Sequence, residues 1–275
     1  MKYSPQAICR LAAGAAIVMS FCTFGHAASD IDAVLAGDQR SAENRARDVY
    51  RHPAETLAFF GLKPDMTVVE LWPGGGWYTE ILAPYLRDDG KLYAAHFAAN
   101  SDIEYFRKGL DAFKAKLAAN PAVYDRVVVT ELAPPTGLAI APPGSADMVL
   151  TFRNVHNWLK PEGNEVNVMK AAFAALKPGG VLGIVEHRAA AGTSREQSIE
   201  SGYMSEAMVI EAARAAGFVL EQSSEINANP RDTHDHPKGV WTLPPRLALG
   251  EQDRAKYLEI GESDRMTLRF RKPAQ

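Results

Sequence analysis

Residues 68–82 read Val-Val-Glu-Leu-Trp-Pro-Gly-Gly-Gly-Trp-Tyr-Thr-Glu-Ile-Leu. The short apolar run before the glycines predicts a buried strand over residues 67–71, and the run after them predicts a helix over 78–86. Gly74, Gly75 and Gly76 join the two as a strand-turn-helix unit. Three adjacent glycines are costly to order, and a turn keeps them where side chains would block a ligand or where φ must be positive. Glu70 falls at the carboxyl end of the strand, where open α/β sheets bind their ligands, and its carboxylate suits a cationic or hydroxyl-bearing cofactor. Two phosphate chemistries are excluded on spacing. The chain has no Gly-x-x-x-x-Gly-Lys-Ser/Thr cradle, and the three glycines do not complete a Gly-x-Gly-x-x-Gly fingerprint. A nucleotide-handling turn without pyrophosphate chemistry remains.

The chain has 275 residues, 47% of them hydrophobic and 23% charged, enough to bury one sizeable core within a single large α/β domain. A formal net charge of −3 supplies no basic field, which argues against a nucleic-acid partner and for a small-molecule one. Lys2 and Arg10 precede an apolar run over residues 11–24 that is too short to span a bilayer comfortably, and small residues follow at Gly25, Ala27 and Ala28. This pattern predicts an export signal over residues 1–27. The mature chain is then expected in the periplasm or outside the cell, without stable membrane insertion. Both cysteines, Cys9 and Cys22, lie in that segment, so the mature chain has no disulfide, thiolate metal site or cysteine nucleophile.

Residues 28–60 are helical in pattern, with Pro53 suited to a first helical turn, and form a candidate lid over the glycine turn that carries Arg51 and His52. Later strands are expected over 91–97, 126–132, the stretch from 146, 181–186, 218–226 and 265–272, alternating with helices over 103–119, 165–176 and 203–216. His96 ends the second strand, where nucleotide folds often place a ribose-gripping acid, and Glu131 lies near the end of the third. Asn154, His156 and Asn157 crowd the exit of the fourth strand, and Glu186 and His187 that of the fifth, all on the rim expected for Glu70. Residues 227–264 form an insertion whose His234, Asp235 and His236 are possible metal ligands. No second ligand cluster stands at a recognisable spacing, so a substrate loop is expected there and no metal site.

The alternation of β and α elements predicts a doubly wound, mostly parallel seven-stranded sheet with helices on both faces, occupying residues 61–275. Three segments carry a resemblance: Glu70-Leu71-Trp72-Pro73-Gly74-Gly75-Gly76, Ala146-Asp147-Met148-Val149-Leu150, and Leu176-Lys177-Pro178-Gly179-Gly180-Val181-Leu182. Through them the chain resembles the Rossmann-like S-adenosylmethionine-dependent methyltransferases, and within these a group of predicted exported bacterial methyltransferases, over roughly residues 47–272. The resemblance implies S-adenosylmethionine as cofactor, with Glu70 as the acid ending the first strand and Gly74 and Gly76 as glycines against which the methionyl part packs. Gly75, Glu131 and Asn154 join them as candidate cofactor contacts. Trp72 stands where that family has its first glycine, and His96 replaces the usual ribose-binding acid. His156, His52 and His187 are the candidate bases for an acceptor that must lose a proton. The alternative from another class is an exported binding protein that kept this fold and lost the cofactor, with Trp72 filling the space.

Overall fold

The computed structural model describes Met1 and residues 31–274; apart from Met1, the export signal expected over 1–27 lies outside the described residues. Seven strands form one sheet in the order β3-β2-β1-β4-β5-β7-β6. They are β1 Thr67–Leu71, β2 Lys91–His96, β3 Val128–Glu131, β4 Ala146–Phe152, β5 Leu176–His187, β6 Val219–Ser224 and β7 Arg265–Arg271. The pairs among β1 to β5 are parallel, whereas β7 lies antiparallel between β5 and β6. The carboxyl ends of β1, β4 and β5 therefore share a rim with the amino end of β7.

The helices are α1 Ile31–Ala36, α2 Ala42–Arg45, α3 Asp48–Arg51, α4 Pro53–Phe60, α5 Thr79–Leu86, α6 Glu104–Ala119, α7 Pro121–Tyr124, α8 Asn164–Ala175, α9 Arg195–Ser201, α10 Glu206–Ala215 and α11 Arg254–Ile260. Side chains alternate across a strand, so successive residues of β1 enter different cores. Val69 and Leu71 pack with Val168 and Met169 of α8 and Val209 of α10, while Val68 packs with Leu57 and Phe60 of α4 and Ile81 and Leu82 of α5. Burying both faces explains why β1 and β4 read as continuous apolar runs rather than alternating ones.

Three expectations are revised. Of residues 28–60, read as helical with a fresh start at Pro53, the described residues 31–60 form four short helices, and His52 adopts a left-handed φ of 39° between α3 and α4. The fifth strand begins at Leu176, since Leu176 already pairs with Ala146 and Lys272 N–H donates to the Gly180 carbonyl at 2.9 Å. The insertion is not wholly irregular: it contains α11, and its Tyr257 is buried. Among the described residues no helix is long and apolar enough to cross a membrane.

Candidate functional site

The glycine turn is pinned from outside through its carbonyls. His96 Nε2 lies 3.1 Å from the Gly74 carbonyl, and Lys116 Nζ donates to the Gly75 carbonyl at 2.9 Å. The N–H groups of Gly74 and Gly75 donate to no group among the described residues, and both glycines are exposed. Gly74 and Gly76 have φ of 57° and 79°, so larger residues would strain the turn, and a Cβ at Gly76 would meet Phe113 at 3.1 Å. Glu70 is placed differently from the expectation. It is buried, lines none of the cavities described below, and accepts from Thr79 Oγ1 at 2.6 Å, bracing the start of α5. Burial pushes its carboxyl up to about 7, which the Thr79 hydroxyl and Lys116 only partly offset.

His96 sits at the end of β2 as expected, but both ring nitrogens are engaged. Nδ1 accepts from Phe97 N–H at 2.8 Å, which leaves Nε2 to donate to Gly74. It positions the turn and has no nitrogen left for a sugar hydroxyl; burial lowers its pKa. Glu131 is exposed on edge strand β3 and stays outside the cleft, although the next residue, Leu132, reaches it.

Three cavities meet around Trp72. An apolar slot of about 370 Å³ is bounded by Phe97, Phe106, Leu132, Pro134 and Trp158. A second space of about 290 Å³ lies over Gly74 and Gly75 beside Arg47, Arg51 and Asn154. A third, about 550 Å³, runs from the glycine turn past Arg153 to His156, His187 and Arg265. Trp72 lines all three. Its indole Nε1 donates to the Leu132 carbonyl at 2.7 Å, and its ring packs on Phe97, Phe106 and Trp158 at 4.9, 5.6 and 5.6 Å. Trp72 and Arg153 hold left-handed φ values of 45° and 62°, so two residues of the cleft carry backbone strain. Asn154 ties the β4 exit to the end of β1, donating to the Leu71 carbonyl at 3.0 Å while lining two of the cavities.

At the far end, Glu186 is fully buried and accepts from the N–H groups of Val155 and His187 at 2.5 and 2.8 Å and from His156 Nδ1 at 3.0 Å. The buried carboxylate fixes the His156 tautomer and leaves Nε2 for the cavity, the arrangement of an oriented general base. The ring of His187 lies 5.3 Å from that of His156, and its Nδ1 is 2.5 Å from Ser263 Oγ. Burial, reinforced by His156 and Arg265, pushes His187 well below its ordinary pKa. Ligand atoms of His156, Glu186 and His187 lie within 4.8 Å of one another. As a metal set they are poor, because the Glu186 oxygens are already used by backbone and imidazole donors. His52 is not brought in. It lines a separate groove with Tyr50 and Asn229.

Sequence reasoning singled out Arg51, in a candidate lid over the glycine turn, and missed the other cations of the cleft. Arg47 and Arg51 reach it from α3 and its amino-terminal edge, Arg153 from the β4 exit and Arg265 from the start of β7. The dense charge over 47–55 and the arginine in the β4 exit were the available signals. The histidines of the insertion serve as internal pins instead of ligands. His236 Nε2 and Tyr203 Oη each lie 2.9 Å from the Asp232 carboxylate, and His234 Nε2 is 3.2 Å from Asp264.

No protein-family model matches the chain, and no curated protein matches it by sequence. Solved structures do match. A SAM-dependent methyltransferase from Aquifex aeolicus is 17% identical with a TM-score of 0.52, covering 88% of this chain and 98% of its own. The [4+2]-cyclase SpnF is 17% identical with a TM-score of 0.57, covering 87% and 86%. Phosphoethanolamine N-methyltransferase 2 of Haemonchus contortus, in complex with S-adenosyl-L-methionine, is 16% identical with a TM-score of 0.52, covering 82% and 53%. The chain thus has the Rossmann-like fold of the SAM-dependent methyltransferases. A cyclase among these neighbours shows that the fold alone does not name the reaction.

Proposed function

We propose that this protein is an S-adenosylmethionine-dependent methyltransferase acting on a small-molecule acceptor, doubly wound with helices on both faces of its sheet. The carrying observation is the exposed glycine turn with unpartnered N–H groups at the rim of a methyltransferase-type sheet, facing an oriented His156–Glu186 pair. The residues fit the cofactor at both ends. Gly74 and Gly75 leave open space above their backbone, and Arg51 Nη1 is a buried donor without a partner among the described residues, suited to a carboxylate. The apolar slot beside Phe97 suits a flat base. Trp72 crosses between the two and must turn aside for one molecule to occupy both.

When bound, the cofactor supplies a methyl group on a sulfonium, the new bond forming from the acceptor's lone pair as the carbon–sulfur pair leaves with the sulfur. His156 Nε2 takes the acceptor proton, and Glu186 holds the imidazole in the accepting tautomer. Trp241, whose ring lies 6.2 Å from that of His156, and Leu243 of the insertion cover this end of the cleft and limit water. Export fits the pattern of residues 1–28 and places the mature enzyme in the periplasm or outside the cell, in keeping with the exported methyltransferase group. Calorimetric titration of the chain from Ala28 onward with S-adenosylmethionine and S-adenosylhomocysteine tests the reading. Saturable binding that is lost in a folded Gly75→Val variant is expected; no heat at millimolar ligand would favour a binding protein that has lost the cofactor.

A further inference from the structure

The cleft between the glycine turn and His156 carries more positive charge than the protein neutralises. Glu262 is buried and meets three arginines: Arg47 Nε at 2.6 Å, Arg51 Nε at 3.1 Å, and Arg265. Burial alone would raise its pKa, but Arg265, Arg51 and Arg47 together hold it well below the carboxylate range. A fourth cation, Arg153, has no side-chain hydrogen bond or ion pair among the described residues. Burial, with Arg265 nearby, pushes its guanidinium down to about 10. Other carboxylates in the region are committed elsewhere: Asp264 to Arg188 at 2.8 Å, Asp48 to Arg40 at 2.7 Å, and Glu186 to His156 and backbone N–H groups. Around Glu262, four guanidiniums against one carboxylate leave three positive charges unmatched, and the exposed Arg246 adds a fifth guanidinium to the lining of the same cavity.

Unpaired buried charge is destabilising unless a ligand completes it, and guanidinium is the side chain whose planar fork matches oxyanions. On two of these side chains, Arg51 Nη1 and Arg265 Nε are buried without hydrogen-bond partners among the described residues. The cofactor's own carboxylate answers only part of this, because its ammonium and sulfonium bring two further positive charges into the cleft. We propose that the methyl acceptor carries a doubly charged oxyanion, a phosphate ester or a pair of carboxylates, gripped by Arg153 and Arg265 next to Ser263. That group anchors the acceptor in the larger cavity while its nucleophilic atom lies toward His156 Nε2. The acceptor role rests on the methyl-transfer reading; the anion site rests on the arginines.

The test is thermal unfolding of the mature chain with about 10 mM sodium diphosphate or sodium malonate, against sodium chloride at equal ionic strength, since a ligand that binds only the folded state raises its midpoint. A rise of several degrees is expected in the wild type and in Lys108→Gln, a surface charge control. The rise should vanish in Arg153→Gln. Because the Arg153 side chain makes no hydrogen bond or ion pair among the described residues, that variant should unfold at a higher temperature than the wild type when ligand-free, which separates loss of the site from loss of the fold. A diphosphate response without a malonate response identifies phosphate chemistry, and the reverse identifies paired carboxylates. No response to either probe, with S-adenosylmethionine still bound in calorimetry, overturns the proposal and leaves the methyl-transfer reading standing. Probes that shift the midpoint but compete with S-adenosylmethionine would mean that the arginines hold only the cofactor's carboxylate, which also overturns it. A probe response without any S-adenosylmethionine binding sinks the methyl-transfer reading and keeps the anion site.

Discussion

Replacing Trp72 with glycine puts stability and cofactor affinity in opposition. Stability falls because the indole loses its bond to the Leu132 carbonyl, about 1 kcal/mol. Its contacts with Phe97, Phe106 and Trp158 and its partial burial add roughly 2–3 kcal/mol. Glycine gains about 1 kcal/mol by relieving a left-handed φ of 45°. The net loss of roughly 2–3 kcal/mol corresponds to a melting point lower by roughly 5–10 °C for a domain of this size. On the proposed reading affinity moves the other way, because S-adenosylmethionine would no longer have to displace the indole. A saving of about 2 kcal/mol tightens binding roughly 30-fold. Differential scanning calorimetry and isothermal titration measure the two sides separately. Equal or weaker binding by a folded Trp72→Gly variant would refute the view that the indole lies across the cofactor's path.

The raised carboxyl of Glu70 makes a stability prediction with a definite sign. Its folded pKa of about 7 exceeds the usual 4.5, so between these values the folded state holds the extra proton and stability falls as pH rises. Glu70→Gln keeps an acceptor for Thr79, and relative to wild type it should gain up to about 3 kcal/mol between pH 4.5 and 7.5 in urea melts. His187 and His96, both lowered by burial, change stability in the opposite sense over part of that window, so the difference between the two proteins is the quantity to read. A flat difference would show that Glu70 is not the group titrating. Glu186→Ala strands the N–H groups of Val155 and His187 and should cost roughly 3–5 kcal/mol in the same melts. His156→Gln should leave the fold intact and slow transfer to a protonated acceptor by about 10²–10⁴-fold; an unchanged rate would remove His156 from the mechanism.

Local chemistry was enough to place the first unit: the apolar run, three glycines and following helix appear as β1, the turn and α5 within a residue of expectation. The positions of His156 and His187 on the rim were legible for the same reason, since His156 follows β4 and His187 ends β5. Hydrogen-bond partners were not. Whether His96 faces a ligand or braces Gly74 depends on which nitrogens find partners across the turn, and position at a strand end does not specify that.

The arginine cluster lay furthest from view. Glu262 is separated by 215 residues from Arg47 and by 211 from Arg51, and no local pattern links them. They meet because β7 runs antiparallel between β5 and β6, which brings its amino end to the rim where β1, β4 and β5 finish. Hydrophobic period, glycine placement and turn chemistry act over a few residues, so the amino-acid sequence by itself determined where the seven strands and the longer helices fall, and with them the rim. The charge of the cleft and the placement of Trp72 across it depend on strand order and packing between distant segments, and only the tertiary structure decided them.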